Sequence, residues 1–275
     1  MSERFPLAFS TLGCPKWTFE QAVEQAAANG YMGLEVRVLD GQIIPSDLSA
    51  ERRREIKAVL AKHNMQIVGL GVSTRFSAAD ADERRANEEE LKRYLALAND
   101  LGTPMVRTFG GNVAEGRTMA ETIDWVADSL GRVMPAAEAQ GVTVMLETHD
   151  AFCLGADVAR VLAQVEHPRL GAVWDVHHPF RMGESIEETW RQIGPRTVHI
   201  HMKDARLRPD GSWQLVLMGE GEVPCRDIMH LLHREGYQGC ISAEWEIMWH
   251  PEIEEPEVAM PQHARVLRAW MGELG

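Results

Sequence analysis

Eight short apolar or β-branched runs punctuate the chain, at residues 7–11, 33–36, 66–72, 105–109, 142–147, 171–175, 197–202 and 239–244. Longer stretches with helical period separate most of them. Residues 19–29 are rich in Ala, Glu and Gln, and Gly30 follows where a helix-ending glycine belongs. Residues 49–64 open with Ser49 as N-cap, although Arg52 stands where a full capping box would need Glu or Gln. Residues 82–101 place Leu91, Leu95, Ala98 and Leu101 on one stripe ahead of Gly102. Residues 118–140 and 157–165 follow the same logic, with Pro135 predicted to kink or split the former. Residues 256–274 carry Val266, Leu267, Trp270 and Met271 at helical spacing, a face that closes the fold or joins a homo-oligomer.

Strands that alternate with helices of 10–20 residues predict a parallel sheet. Eight such units in 275 residues match a single α/β domain, a (β/α)8 TIM barrel over residues 1–275. An open doubly wound sheet is the rival. It would bring a glycine-rich first turn, and the first turn here is Leu12-Gly13-Cys14-Pro15. Asp210-Gly211 predicts a hairpin, 207–208 against 213–217, inserted between the seventh and eighth strands.

Composition narrows the function classes. The chain has 28 Lys and Arg against 41 Asp and Glu, a formal charge of −13, which disfavours nucleic acid and anionic membranes as partners. No run of 18 apolar residues predicts a membrane span, and residues 1–7 show no apolar leader. Cys14, Cys153, Cys225 and Cys240 are scattered without a C-x-x-C, which reads as reduced thiols in a cytoplasmic protein.

In a barrel the catalytic groups stand at the C-terminal strand ends. The last four runs end in Glu147-Thr148-His149, in Asp175-Val176-His177-His178, in His199 through Asp204, and in Glu244-Trp245-Glu246. Three carboxylates in one mouth repel each other, and a divalent cation is the economical counter-charge. Glu147, Asp175, His201 and Glu244 are therefore the candidate metal ligands. This oxygen-rich set suits one Mn2+ or Mg2+, and its imidazole admits Co2+ or Zn2+. His149 stays open between substrate contact and loop support, and Glu246 between a functional role and a supporting or solvent one. Trp17 and Trp245 stay open between stacking on a sugar and packing. Gly110-Gly111-Asn112 reads as a turn rather than a phosphate cradle, and Glu88-Glu89-Glu90 as a solvated helix face.

Phe9-Ser10-Thr11-Leu12-Gly13, the string from Ala27 to Glu35, Leu146 to His149, Trp174 to Pro179, His199 to Asp204, Gly219 to Pro224 and Gly236 to Gly239 recur in one order. In that order the chain resembles the sugar phosphate isomerase/epimerase family of xylose isomerase-like TIM barrels. The resemblance implies the same metal ligands, Glu147, Asp175, His201 and Glu244. It favours His178 over His177 on the substrate side, and it loosely suggests Arg206 or Arg208 as a substrate-holding base. Lys203, His149, Glu35 and Trp17 complete the expected substrate group. The endonuclease IV-like branch needs further histidines after the third and fourth strands. Gly71-Val72-Ser73 and Thr108-Phe109-Gly110 stand there instead, so one metal is expected.

The expected activity is isomerisation or epimerisation of a small sugar, inosose or keto-acid through a metal-stabilised enediolate, with Glu147 and Glu244 moving the proton. A dehydratase of the same barrel type, a non-catalytic sugar- or metal-binding barrel and a metal-dependent hydrolase are the alternatives.

Overall fold

The computed structural model describes residues 4–275; residues 1–3, the start of the stretch expected to lack a leader, lie outside the described residues. In chain order the main elements are β1 (Leu7–Ser10), α1 (Phe19–Ala28), β2 (Gly33–Val36), β3 (Val38–Leu39), β4 (Gln42–Ile43), α2 (Ala50–His63), β5 (Gln66–Arg75), α3 (Ala81–Leu101), β6 (Met105–Phe109), α4 (Met119–Gln140) and β7 (Thr143–Glu147). They continue with α5 (Gly155–Gln164), β8 (Leu170–Asp175), α6 (His177–Arg181), α7 (Ile186–Ile193), β9 (Thr197–Met202), β10 (Asp204–Leu207), β11 (Trp213–Val216), α8 (Cys225–Arg234), β12 (Cys240–Ala243) and α9 (Pro256–Gly272). The strand order β1-β12-β9-β8-β7-β6-β5-β2 closes on itself as an eight-stranded barrel. Each of the eight apolar runs supplies one of these strands. Strands such as β1 and β8 are buried along their whole length, which is why they read as continuous apolar runs rather than alternations.

The chain forms two compact parts. One comprises the residues up to Ile44, Glu55–Val68 and His199–Gly275. Here β1 pairs in parallel with β2 and β12, and β12 with β9, setting Ser242 opposite His201. Ala8, Val68 and Cys240 form a small apolar cluster with Met32 against it. Thr18 and Gln21 close a full capping box at the start of α1.

The other part comprises Pro45–Arg54 and Gly69–Val198. Its strands β5, β6, β7 and β8 pair in parallel in sequence order. Here α3 packs on α4, and Glu88 joins them. It is only 3% exposed and accepts from Arg132 Nη2 at 2.7 Å, whereas Glu89 and Glu90 face solvent beside Lys92 and Arg93. The expected solvated triplet is thus two solvated residues and one buried inter-helix anchor, because only Glu88 falls on the α4-facing stripe.

Two further expectations change. Helix α4 runs unbroken through Pro135. Pro135 and Gly131 both lie on its exposed side, where water can serve the carbonyl that the proline leaves without a donor. In the β10–β11 hairpin Leu207 pairs with Trp213, and the Arg208 N–H donates to the Ser212 carbonyl at 2.8 Å, so three residues, 209–211, rather than two make its turn. The two-residue turn belongs to Asp40-Gly41 between β3 and β4. Both residues have positive φ, +50° and +85°, as this tight hairpin requires. Among the described residues no helix is long and apolar enough to cross a membrane, and all four cysteines are buried and outside any disulfide.

Candidate metal centre

Glu147 closes β7 and is 2% exposed. An isolated charge there would be costly to bury. Arg107 of β6, itself buried, sets Nε 3.1 Å from Glu147 Oε2. The guanidinium is fixed by a bond from Nη1 to the Val72 carbonyl at 3.0 Å and by stacking 4.1 Å over the Phe109 ring.

Asp175 closes β8 and is fully buried. Its backbone N–H donates to Thr148 Oγ1 at 3.0 Å. Its Oδ1 accepts from the amides of His177 and His178 at 3.0 and 3.3 Å, so it holds the first turn of α6. His178 Nε2 stands 3.5 Å from Asp175 Oδ2. The half-buried His149 packs edge-on to His178, with ring centroids 4.7 Å apart, and its Nδ1 lies 3.0 Å from Asp150 Oδ1.

In the other compact part the strand period turns His199, His201 and Lys203 to one side. His201 Nδ1 lies 3.4 Å from Glu244 Oε1, just past the end of β12. Lys203 Nζ donates to Glu244 Oε2 at 2.8 Å and also pairs with Glu246. Asp204 accepts from the backbone amides of Ala205, Gly219, Gly221 and Val223, fixing the 219–223 loop. A Cβ at Gly221 would stand 2.2 Å from Asp204 Oδ1, which explains the glycine. Burial raises the Asp204 carboxyl, against the pull of those four amides.

Glu35, expected among the substrate groups, is instead buried against two histidines. Its Oε2 lies 3.1 Å from His199 Nε2 and 2.9 Å from His201 Nε2. Burial pushes this carboxyl up. The His201 charge and the hydrogen bonds of both rings outweigh that and hold it well below the usual carboxylate range.

Glu147, Asp175, His201 and Glu244 each offer one ligand atom, and these atoms lie within 4.8 Å of one another. Three buried carboxylates and one imidazole fit a divalent cation, so the structure has a potential metal-binding site. Arg107 and Lys203 also temper the bare charge that the sequence alone sets at −3, each standing beside one glutamate.

Arg206 is exposed, and its guanidinium donates to the Glu220 carbonyl. Trp17 lines a cavity of about 170 Å³ with Ile247, Pro251 and Pro256. Trp245 is fully buried, donates Nε1–H to the Glu254 carbonyl at 2.8 Å and packs edge-on to His263, which settles it as packing. Gly110 and Gly111 serve close packing, since Cβ atoms there would meet Phe152 at 2.2 Å and Ser77 Oγ at 2.3 Å. Sequence reasoning missed Arg107. An arginine inside a buried parallel strand was the available clue, because such a charge persists only beside a carboxylate.

A family model described as Xylose isomerase-like TIM barrel matches residues 23–270. Fructoselysine 3-epimerase of Escherichia coli O157:H7 is 24% identical to this chain, over 96% of it and 97% of that protein. An inosose dehydratase of Clostridium beijerinckii is 21% identical, over 93% of this chain and 89% of that protein. The solved structure of IOLI protein with a binding zinc atom matches with a TM-score of 0.82 at 18% identity, covering 98% of this chain and 99% of that one, a likeness of fold. With the family pattern running through nearly all of its sequence, this protein belongs to the xylose isomerase-like TIM barrels.

Proposed function

We propose that this chain is a divalent-metal-dependent epimerase or isomerase of a small sugar, inosose or keto-acid. The observation that carries the reading is the convergence of ligand atoms from Glu147, Asp175, His201 and Glu244, two of them glutamates at the ends of different strands. The epimerase and dehydratase names of its relatives support the same substrate class. Mn2+ or Mg2+ is the proposed ion on the strength of the three carboxylates; the imidazole, and the zinc bound by a structural neighbour, keep Zn2+ and Co2+ as alternatives. When bound, such an ion polarises a substrate carbonyl and so acidifies the neighbouring C–H.

The chain's own residues then handle the proton. Glu147 and Glu244 stand at the ends of separate strands and can address opposite faces of one carbon. One carboxylate accepts the C–H proton, and the other carboxyl delivers a proton to the opposite face, which inverts the centre. Lys203 holds Glu244 in place through Oε2. His178 and His149, packed on one another, are positioned to orient substrate hydroxyls. The proposed setting is a single barrel domain in the cytoplasm, which the absence of a disulfide among the four cysteines supports.

Inosose dehydratase relatives favour a second reading, in which loss of a β-hydroxyl follows proton removal. The test is metal analysis of the purified protein, then a screen of ketoses, inososes and keto-acids in heavy water. Deuterium at one substrate carbon with retained mass otherwise supports epimerisation or isomerisation, and loss of water supports the dehydratase. No exchange on any of these compounds by metal-loaded protein counts against both.

A further inference from the structure

We infer that Glu35 is a positioning residue: it selects the ring nitrogen with which His201 meets the metal. The inference rests on the four-ligand reading above and deepens it. One carboxylate oxygen, Glu35 Oε2, lies 2.9 Å from His201 Nε2 and 3.1 Å from His199 Nε2. A carboxylate oxygen only accepts, so both Nε2 atoms carry the hydrogen. In a neutral His201 the lone pair is then on Nδ1, the atom 3.4 Å from Glu244 Oε1 and thus on the side of the proposed ligands.

Nδ1 of His199 has no hydrogen-bond partner, as expected of a lone pair left over when Nε2 donates. Both Glu35 and His199 are buried, 1% and 0% exposed, so water does not compete for this arrangement. His199 thereby acts through Glu35, pinning the oxygen that orients His201.

Glu35, His199 and His201 also have the residue types of a small metal site. Their spacing argues for hydrogen bonds instead. Two ligands about 2.1 Å from a tetrahedral ion stay roughly 3.4 Å apart, and these atoms are closer than that. An outer carboxylate that fixes a metal-bound imidazole commonly controls affinity about 10–100-fold.

The experiment uses Zn2+, which is diamagnetic, with the full chain. Chelator competition measures stoichiometry and Kd for the unsubstituted protein, for Glu35→Gln and for His199→Gln. Long-range proton–nitrogen NMR of the zinc-loaded unsubstituted protein reads the His201 ring. The expected result is one zinc per chain, proton on Nε2 and zinc on Nδ1, with Kd raised about 10–100-fold by Glu35→Gln and less by His199→Gln. Zinc on Nε2, an unchanged Kd in Glu35→Gln, or two zincs falling to one in that variant would each overturn the inference while leaving the four-ligand reading in place. An unsubstituted chain that binds no zinc, manganese or magnesium overturns both. The NMR measurement needs no substitution, so it decides the matter even if Glu35→Gln does not fold.

Discussion

The two compact parts of the molecule hold their proposed ligands by different means. Around Glu147 and Asp175 the closest supports are a permanently charged guanidinium, a threonine hydroxyl and two backbone amides, with a single imidazole, His178, farther off at 3.5 Å from Asp175 Oδ2. Around His201 and Glu244 they are Glu35, His199, Lys203 and Glu246, all groups that gain or lose protons. The first set fixes charge in place. The second is a chain of donors and acceptors through which a proton position can be set or changed. The difference teaches that convergent ligands need not be equivalent parts: one side supplies a rigid anionic frame, the other a tunable one.

The largest effect is expected where the tunable side meets the chemistry. Glu244→Gln keeps size and hydrogen bonding but removes the proposed base, and should lower deuterium exchange into substrate by about 10²–10⁴-fold. Mass spectrometry of substrate recovered from heavy water measures it. Exchange at the unsubstituted rate would remove Glu244 from proton transfer and leave it a ligand only.

The fixed side is probed through its cation. Arg107→Met leaves Glu147 buried without its permanent counter-charge, and breaking such a pair costs about 3–5 kcal/mol. Lys203→Met should destabilise less, because Glu244 keeps the His201 ring within 3.4 Å. Denaturant unfolding of metal-free protein at neutral pH compares the two variants. Equal losses would erase the distinction between the frames.

Much of this was legible beforehand, and the reason is periodicity. Every barrel strand announced itself as an apolar run, and the proposed ligand set came from asking which polar residue ends each run. What stayed hidden depended on facing partners that no spacing encodes. Arg107 is visible in the sequence, but its meaning comes from Glu147, forty residues on. Glu35 looked like one more strand-end carboxylate until His199 and His201 were found against it. Glu88 lay inside a charged triplet, and only the packing of α3 on α4 separates it from Glu89 and Glu90. His263 drew no attention because no motif marks a histidine that is simply enclosed by Phe9 and Trp245.

That enclosed histidine extends the contrast to acid stability. Burial lowers the His263 pKa from 6.5 to about 3, so the folded chain keeps it neutral while the unfolded chain protonates it. The stability it leaves intact above pH 6.5 is lost progressively as pH falls toward 3. At pH 5 the difference is about 2 kcal/mol. His263→Phe should flatten the fall in stability between pH 6.5 and 4.5, as followed by thermal melts. A profile unchanged by the substitution would show that another group carries the acid sensitivity of this part.

The smallest effect is expected in the part built on permanent charge. Arg132 grips Glu88 through Nε and Nη2, but its side chain is 49% exposed. Solvent therefore screens the pair, and Arg132→Ala should cost only about 1 kcal/mol. Glu88→Leu tests the same joint from its buried end. An apolar side chain of similar size removes the carboxylate together with its need for a partner, so the loss should again be small. Denaturant midpoints at low and high salt read both variants, and salt should shrink the difference between Arg132→Ala and the unsubstituted chain. A loss from Arg132→Ala as large as that from Arg107→Met would mean that burial at Glu88 governs this pair despite the exposed arginine. The fixed frame would then extend from the barrel strands into the α3–α4 layer.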